Sequence, residues 1–496
     1  MQTNSSGVLH HASLKADLHG LELAGGVWQF RGLQYASIPE RFALPQPPTL
    51  LSGPRCPQNP LDFRHMVRIP PEQHVTARSE DEFACLNLDI TLPAHNLVTN
   101  SAQRPFPVMV WVHGGSQAVS FGDNASKLCD PSKLVARSIQ LSKPIIVVNI
   151  NYRLNIFAFG DETSEVNLAL RDQRKALEYI KLHIAGFGGN PGNITLAGES
   201  AGAVYTHAHM ITKAPVRQCI LQSGTLYLSP PQPRATAVAM VHRVSRHLSI
   251  DGNYSLRTAP VNKILQAQAV LGLTSFYLQM EDDLQGWKES VGHVERVLIG
   301  DNEFESVLWK SGIEETEPRI LCNAFDLEGD DQATARLKMM YGLLPDRPSS
   351  CKAGALDFLN DMRFTLPVKL IMEQRQQAQK AVFGYFMDQP NPWQRSSRAH
   401  HGVDLVFLFN NFDISFDQLA LRISDILQSK WIEFIYGDDP WQPGGFCSFG
   451  PFGEFREATG AERRRYRHLD VAMDLGHDKA EAIVCTLASG RSSLLN

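Results

Sequence analysis

No stretch of the 496 residues approaches the roughly 18 consecutive apolar residues of a membrane-spanning helix. Nor does one sign of charge dominate. Lys and Arg number 47 against 52 Asp and Glu, a formal net charge of −5. That balance calls for neither nucleic acid nor an anionic membrane as partner. The opening residues, Met1 to Ser6, hold no basic region followed by an apolar one. No secretory signal is read there, so cytoplasmic residence is the expectation, or secretion if the sequence is a mature form. Internal repeats and low-complexity tracts are absent too, which excludes solenoids and disordered arrays. Metal-ligand spacing is also lacking. His207 and His209 lie two apart on an expected helix and face different ways, and no thiolate or carboxylate pattern completes a site. The glycines of 186–192 precede a strand instead of following one, so they do not read as a phosphate loop.

What is present is apolar and organised. Hydrophobic residues make up 43% of the chain, ample for a large core. Val108 to Val112 and Pro144 to Asn151 are short apolar runs. Unbroken runs of this kind suit strands buried on both faces of a parallel sheet. Between the second run and Asn193, residues 166–184 repeat Leu170, Leu177, Ile180 and Ile184 at helical spacing, with Arg171, Arg174, Lys175 and Lys181 elsewhere. That pattern predicts an amphipathic crossover helix. Strand, helix, strand then forms a right-handed βαβ unit. Further strands are expected at Gln218 to Gln222 and Val382 to Met387. The fold class is α/β: a mostly parallel sheet flanked by helices, in one domain over 1–496. Residues from roughly 226 to 375 are expected to be mostly helical insertions that cap the active site, by the usual latitude of boundary reading.

The eight cysteines pull against the cytoplasmic reading. Cys56 and Cys85 are spaced to close a surface loop and form the candidate disulfide. The missing signal argues instead for free thiols.

The most informative stretch is Gly198-Glu199-Ser200-Ala201-Gly202. It follows the run Asn193 to Ala197 and opens a segment, Ala201 to Met210, that can be helical. Strand, tight turn and helix is the context of a nucleophile elbow, which holds a serine hydroxyl above the C-terminal edge of a sheet. A serine hydroxyl is a weak nucleophile until a base takes its proton. Histidine suits that task near neutrality, and a carboxylate fixes its tautomer. On this fold the order is serine, acid, histidine, so both partners must follow Ser200.

Several long motifs, in order, resemble those of the type B carboxylesterases, the cholinesterase-like esterase and lipase family, in a form typical of fungi. They are Phe30-Arg31-Gly32-Leu33-Gln34-Tyr35-Ala36 with Pro39-Glu40-Arg41-Phe42, then Glu82-Phe83-Ala84-Cys85-Leu86-Asn87, Asn151-Tyr152-Arg153-Leu154 and Phe187-Gly188-Gly189-Asn190-Pro191. The resemblance runs nearly end to end and implies the α/β-hydrolase fold and a serine esterase activity without metal or organic cofactor. It places the acid at Glu305, five residues after Gly300, with Glu303 as the competitor at the wrong spacing. It places the histidine at His401, heading His401-Gly402-Val403-Asp404, with His400 one residue off and Asp404 shaping the loop.

His113-Gly114-Gly115-Ser116 resembles the family's oxyanion loop. By register the N–H groups of Gly115, Ser116 and Ala201 hold the oxyanion, and Gly114 permits the turn. Ser116 and Gln117 stand where the family more usually has glycine and phenylalanine. Glu199 reads as a polar neighbour of the nucleophile, or as a carboxylate favouring a helix N-terminus. Gln117, Phe121, Tyr227 and Phe304 are pocket candidates because they adjoin these motifs. The expected substrate is a small-molecule ester or lactone, hydrolysed through an acyl-serine. Acyl transfer or cyclisation on the same triad, or a non-catalytic interaction role, are the alternatives. Activity is expected to fall below about pH 6, from an ordinary histidine pKa.

Overall fold

The computed structural model describes residues 6–49, 52–60, 79–94, 104–120, 127–326, 331–459 and 469–488. The strands are β1 (Ser6–His11), β2 (Ala16–Leu23), β3 (Val27–Gln34), β4 (Asn87–Pro93), β5 (Phe106–Val112), β6 (Ile146–Ile150), β7 (Gly189–Glu199), β8 (Gln218–Gln222), β9 (Arg296–Asn302), β10 (Ala381–Met387), β11 (Phe446–Phe449) and β12 (Phe455–Ala458). They form one twelve-stranded sheet in the order β1-β2-β3-β4-β6-β5-β7-β8-β9-β10-β11-β12. The block from β6 to β11 is parallel, while β1 to β4 and β12 run antiparallel at its margins.

The apolar runs are strands because both faces of the sheet are covered. Along β5, Val108, Val110 and Val112 enter one core, and Met109 and Trp111 enter the other. Each strand thus needs an apolar residue at every position. The crossover helix α1 (Leu168–His183) buries Leu168, Leu170, Leu177 and Ile180. Lys181 on its other side is exposed.

Helix α1 leads from β6 to β7, yet β7 pairs with β5. The chain therefore leaves β5 toward one side of the sheet and leaves β7 toward the other, where β8 lies. Such a switch point opens a crevice beyond the C-terminal strand ends, where ligands bind on open α/β sheets. The His113 loop follows β5 and Ser200 follows β7, so both flank that crevice.

Two expectations change. The 226–375 stretch is not all insertion, because β9 lies in the middle of the sheet. Its apolar run is only Val297 to Ile299 before Gly300-Asp301-Asn302, too short to stand out, although the whole strand is buried. The candidate disulfide is not formed. Cys56 and Cys85 are buried free thiols. The neighbouring Cys56 thiol and burial push the Cys85 thiol well up. Cys56 Sγ also accepts the Leu154 N–H at 3.3 Å. Among the described residues no helix is long and apolar enough to cross a membrane.

Candidate active site

Ser200 sits between β7 and helix α2 (Ala201–Ile211) at φ 56° and ψ −124°, a backbone region costly to residues with a Cβ. The turn is held from several sides. The Ser200 N–H donates to Gln222 O at 3.0 Å, and Ser200 O accepts from Ala203 and Val204 N–H. A Cβ on Gly202 would lie 2.0 Å from Val112 O, and one on Gly198 would lie 2.4 Å from Gly202. Glycine is required at both positions by close backbone approach. Ala201 is the first helical residue, so its N–H has no acceptor within α2.

Glu305 opens a short 3-10 turn, Glu305–Trp309, just past β9. His401 precedes Gly402, whose φ of 76° turns the chain into helix α3 (Val403–Phe409). The two meet although 96 residues separate them: His401 Nδ1 lies 2.5 Å from Glu305 Oε2. Glu305 Oε1 accepts the Asn302 N–H at 2.6 Å. A carboxylate accepts only, so Nδ1 is the donor in this contact, and Nε2 is the nitrogen left to exchange a proton. On its other side, His401 Nε2 lies 3.3 Å from Glu199 Oε1.

The competitors are engaged elsewhere. Glu303 accepts from Arg398 Nε at 2.9 Å. The His400 ring meets Asn391 Nδ2 at 2.9 Å and His401 O at 2.8 Å. Asp404 accepts from Gln222 Nε2 at 2.8 Å and Asn302 Nδ2 at 3.2 Å, bracing the loop.

The loop after β5 closes against the serine. A Cβ on Gly114 would lie 2.8 Å from Glu199 O and 3.1 Å from Ser200 Cβ. Gly115 O accepts from Ala118 and Val119 N–H, and Gly114 O lies 2.8 Å from His113 Nδ1. Peptides are trans and planar, so the N–H groups of Gly115 and Ser116 point away from those bonds. Gly115 lies at φ 119° and Ser116 at 54°. Tyr152 braces the loop, donating its hydroxyl to His113 O at 2.6 Å and stacking on the His113 ring.

The sequence profile of the Carboxylesterase family matches residues 15–463. The chain belongs to the carboxylesterase family. It is similar to Lipase 3 of Yarrowia lipolytica, 28% identical over 462 residues, covering 88% of this chain and 90% of that one. It is also similar to the "Inactive carboxylesterase-like protein VdtD" of Byssochlamys spectabilis, 38% identical over 223 residues, but over only 41% of this chain and 36% of that one. A solved structure of a PNB esterase superposes with a TM-score of 0.71 at 22% identity, covering 94% of this chain and all of that one. That likeness shows the α/β-hydrolase fold. The chain is a carboxylesterase-type serine hydrolase.

In this carboxylesterase three carboxyl side chains, Glu199, Glu305 and Asp404, are buried around His401. Glu199 is 1% exposed, and it faces the His401 ring with Oε1 3.3 Å from Nε2. A bare Nε2 and an ionised carboxylate at 3.3 Å repel, so a proton between them is favoured. Burial, against the pull of His401 and with the repulsion of Asp404 and Glu305, lifts Glu199 above the usual carboxylate range. Burial alone would depress His401, but the Glu199 and Glu305 charges and the Glu305 hydrogen bond outweigh it, and the imidazole stands above its usual 6.5. That direction moves the expected acid limb up from the pH 6 of an ordinary histidine.

The acid limb of kcat/KM is therefore expected above pH 6.5. Glu199→Gln removes a negative charge facing the imidazolium and so favours the neutral base. The limb should move down by about 1–3 pH units. A pH–rate series on both proteins reads this directly. An unmoved limb would mean that Glu199 does not set the titration of the base.

The remaining pocket candidates divide. Gln117 is buried, and its Oε1 accepts from the Tyr205 hydroxyl at 3.2 Å. It lines a small cavity with Asn155, Tyr205, Phe276 and Tyr277, none of them a triad candidate. Tyr227 packs edge-on to Trp287 at 4.7 Å. Phe304 lies under the Arg398 guanidinium at 4.8 Å. Phe121 falls outside the described residues. Phe364 also stands edge-on to the His401 ring, at 5.7 Å, with Trp309 behind it. No local motif marks it, because its place depends on the chain folding back over the site. Burial pulls His207 and His209 down to about 3, so they are neutral core residues. Their rings meet the Leu226 N–H and Gln173 Oε1. Among the described residues no group of three or more His, Cys, Asp or Glu side chains could hold a metal ion.

Proposed function

We propose that the enzyme hydrolyses small, uncharged carboxylic esters or lactones through an acyl-serine. Ser200 attacks the carbonyl while His401 takes its proton. His401 then returns that proton to the departing alkoxide, and repeats the cycle with water to release the acid. Glu305 holds the imidazole tautomer. The N–H groups of Gly115, Ser116 and Ala201 receive the oxyanion. The observation that carries this reading is the 2.5 Å contact of His401 with the buried Glu305, next to a serine on a strained elbow. An uncharged substrate is favoured because the site already holds Glu199, Glu305 and Asp404 buried. A substrate anion there would meet repulsion with little screening.

The test is turnover of a chain-length series of p-nitrophenyl esters, run beside labelling by a fluorophosphonate probe. Turnover with labelling of Ser200 is expected, and the best chain length sizes the acyl pocket. A transesterified or cyclised product with little free acid would move the reading to acyl transfer. The likeness to an inactive protein favours a second, non-catalytic reading. Absence of both turnover and labelling would favour that one.

A further inference from the structure

The 3-10 turn that presents Glu305 has no cap of its own. The first N–H groups of any helix lack intrahelical acceptors, and here the capping position is Phe304, whose side chain cannot accept. The acceptor comes from far along the chain. Asn360 is the last residue of a helix spanning Pro348–Asn360. Its Oδ1 accepts the Glu305 N–H at 2.8 Å and the Ser306 N–H at 3.2 Å. Its Nδ2 donates to Thr365 Oγ1 at 3.3 Å. The Thr365 hydroxyl donates to Asp301 Oδ2 at 2.7 Å. Asp301 lies on β9, four residues before Glu305, so the bonds close an arc from the strand through Asn360 and back to it. Asn360, Asp301, Glu305 and Ser306 are fully buried.

Between Asn360 and Thr365 the chain makes a π-helical turn, Asp361–Thr365, a rare form that often marks functional sites. The turn swings Phe364 against the His401 ring. One segment thus grips the acid through Asn360 and touches the base through Phe364.

We propose that Asn360 is a positioning residue for the catalytic acid: its side-chain oxygen locks the Glu305 turn so that the carboxylate meets His401 Nδ1. This rests on the triad reading above. Without that oxygen, two buried N–H groups lose their acceptor and the turn must shift to satisfy them. A displacement of about 1 Å in such a constellation can cost about 100-fold in rate. The loss should fall on kcat, because Asn360 bonds the acid turn and not the crevice.

Asn360→Leu keeps the branched shape of the side chain and removes the acceptor. The expected result, on a p-nitrophenyl ester that the wild type turns over, is a kcat lower by about 100-fold. KM should stay nearly unchanged, and the acid limb should move to lower pH as Glu305 loosens from the imidazole. Asn360→Asp retains the acceptor but loses the donor to Thr365, and should recover part of kcat. The decisive readout is a double-mutant cycle with Glu305→Gln. If Asn360 acts through the acid, Asn360→Leu adds little loss once the carboxylate is gone. Additive losses, or an unchanged kcat and pH limb in Asn360→Leu, would overturn the proposal. Should Asn360→Leu fail to fold, Thr365→Val enters the same cycle and is expected to give a smaller loss in the same direction; no loss, or an additive one, overturns it. Wild-type-like turnover by Ser200→Ala would instead sink the triad reading itself.

Discussion

Ser200→Ala is expected to lower kcat by about 10⁶-fold, the scale of losing the nucleophile of a serine triad. The fold should survive. Serine and alanine both carry a Cβ, so the positive φ of 56° at the elbow costs the two alike. The contacts that impose this turn belong to Gly198, Gly202 and the Gln222 carbonyl, which the substitution leaves untouched. Active-site titration should show one equivalent of p-nitrophenol released in a burst by the wild type and none by the variant. Thermal melts should coincide. A burst from the variant would point to a different nucleophile and would remove Ser200 from the mechanism.

Glu305→Gln is expected to be the next most damaging, lowering kcat by about 10⁴-fold. Both carboxylate oxygens are committed to donors, Oε1 to the Asn302 N–H and Oε2 to His401 Nδ1. A glutamine amide offers one acceptor and one donor. If its NH₂ faces Asn302, two donors oppose each other in a buried site. If its NH₂ faces His401, the ring must accept at Nδ1, and the proton moves to Nε2. That tautomer cannot receive a proton from Ser200. Either orientation disables the base, though the side chain keeps its size. Steady-state kcat with a folding control tests this. A loss below about tenfold would mean that Glu305 is not the orienting acid, on the same comparison.

Much of the central fold is legible in the sequence because it is written locally. The run Val108 to Val112 lies within β5 (Phe106–Val112), and residues 166–184 contain the helix Leu168–His183. Gln218–Gln222 is β8 as expected. In each case burial on both faces, or on one helical stripe, leaves a periodic signature. Strands at the sheet margins leave less. In β2 only two of eight residues are buried, and β9 interrupts its apolar run with Gly300 and Asp301. The cysteine pair shows the limit of spacing as evidence. Cys56 and Cys85 do come together, but as thiols.

The nucleophile elbow is what the sequence by itself determined. A serine between two glycines at the end of an apolar strand marks a sharp turn within five adjacent residues, because the glycines allow the close backbone approach that the turn requires. The His113-Gly114-Gly115-Ser116 turn is of the same local kind. Tertiary structure decided the partnerships. His401 and not His400 meets a carboxylate there, and that carboxylate is Glu305 and not Glu303, because the ends of β9 and β10 deliver those loops in a particular register. The facing of Glu199 onto Nε2, the edge of Phe364 on the ring, and the grip of Asn360 on the acid turn arise in the same way. Such contacts join residues tens to hundreds of positions apart. Their geometry is set by how whole elements pack, and no short stretch of sequence contains that information.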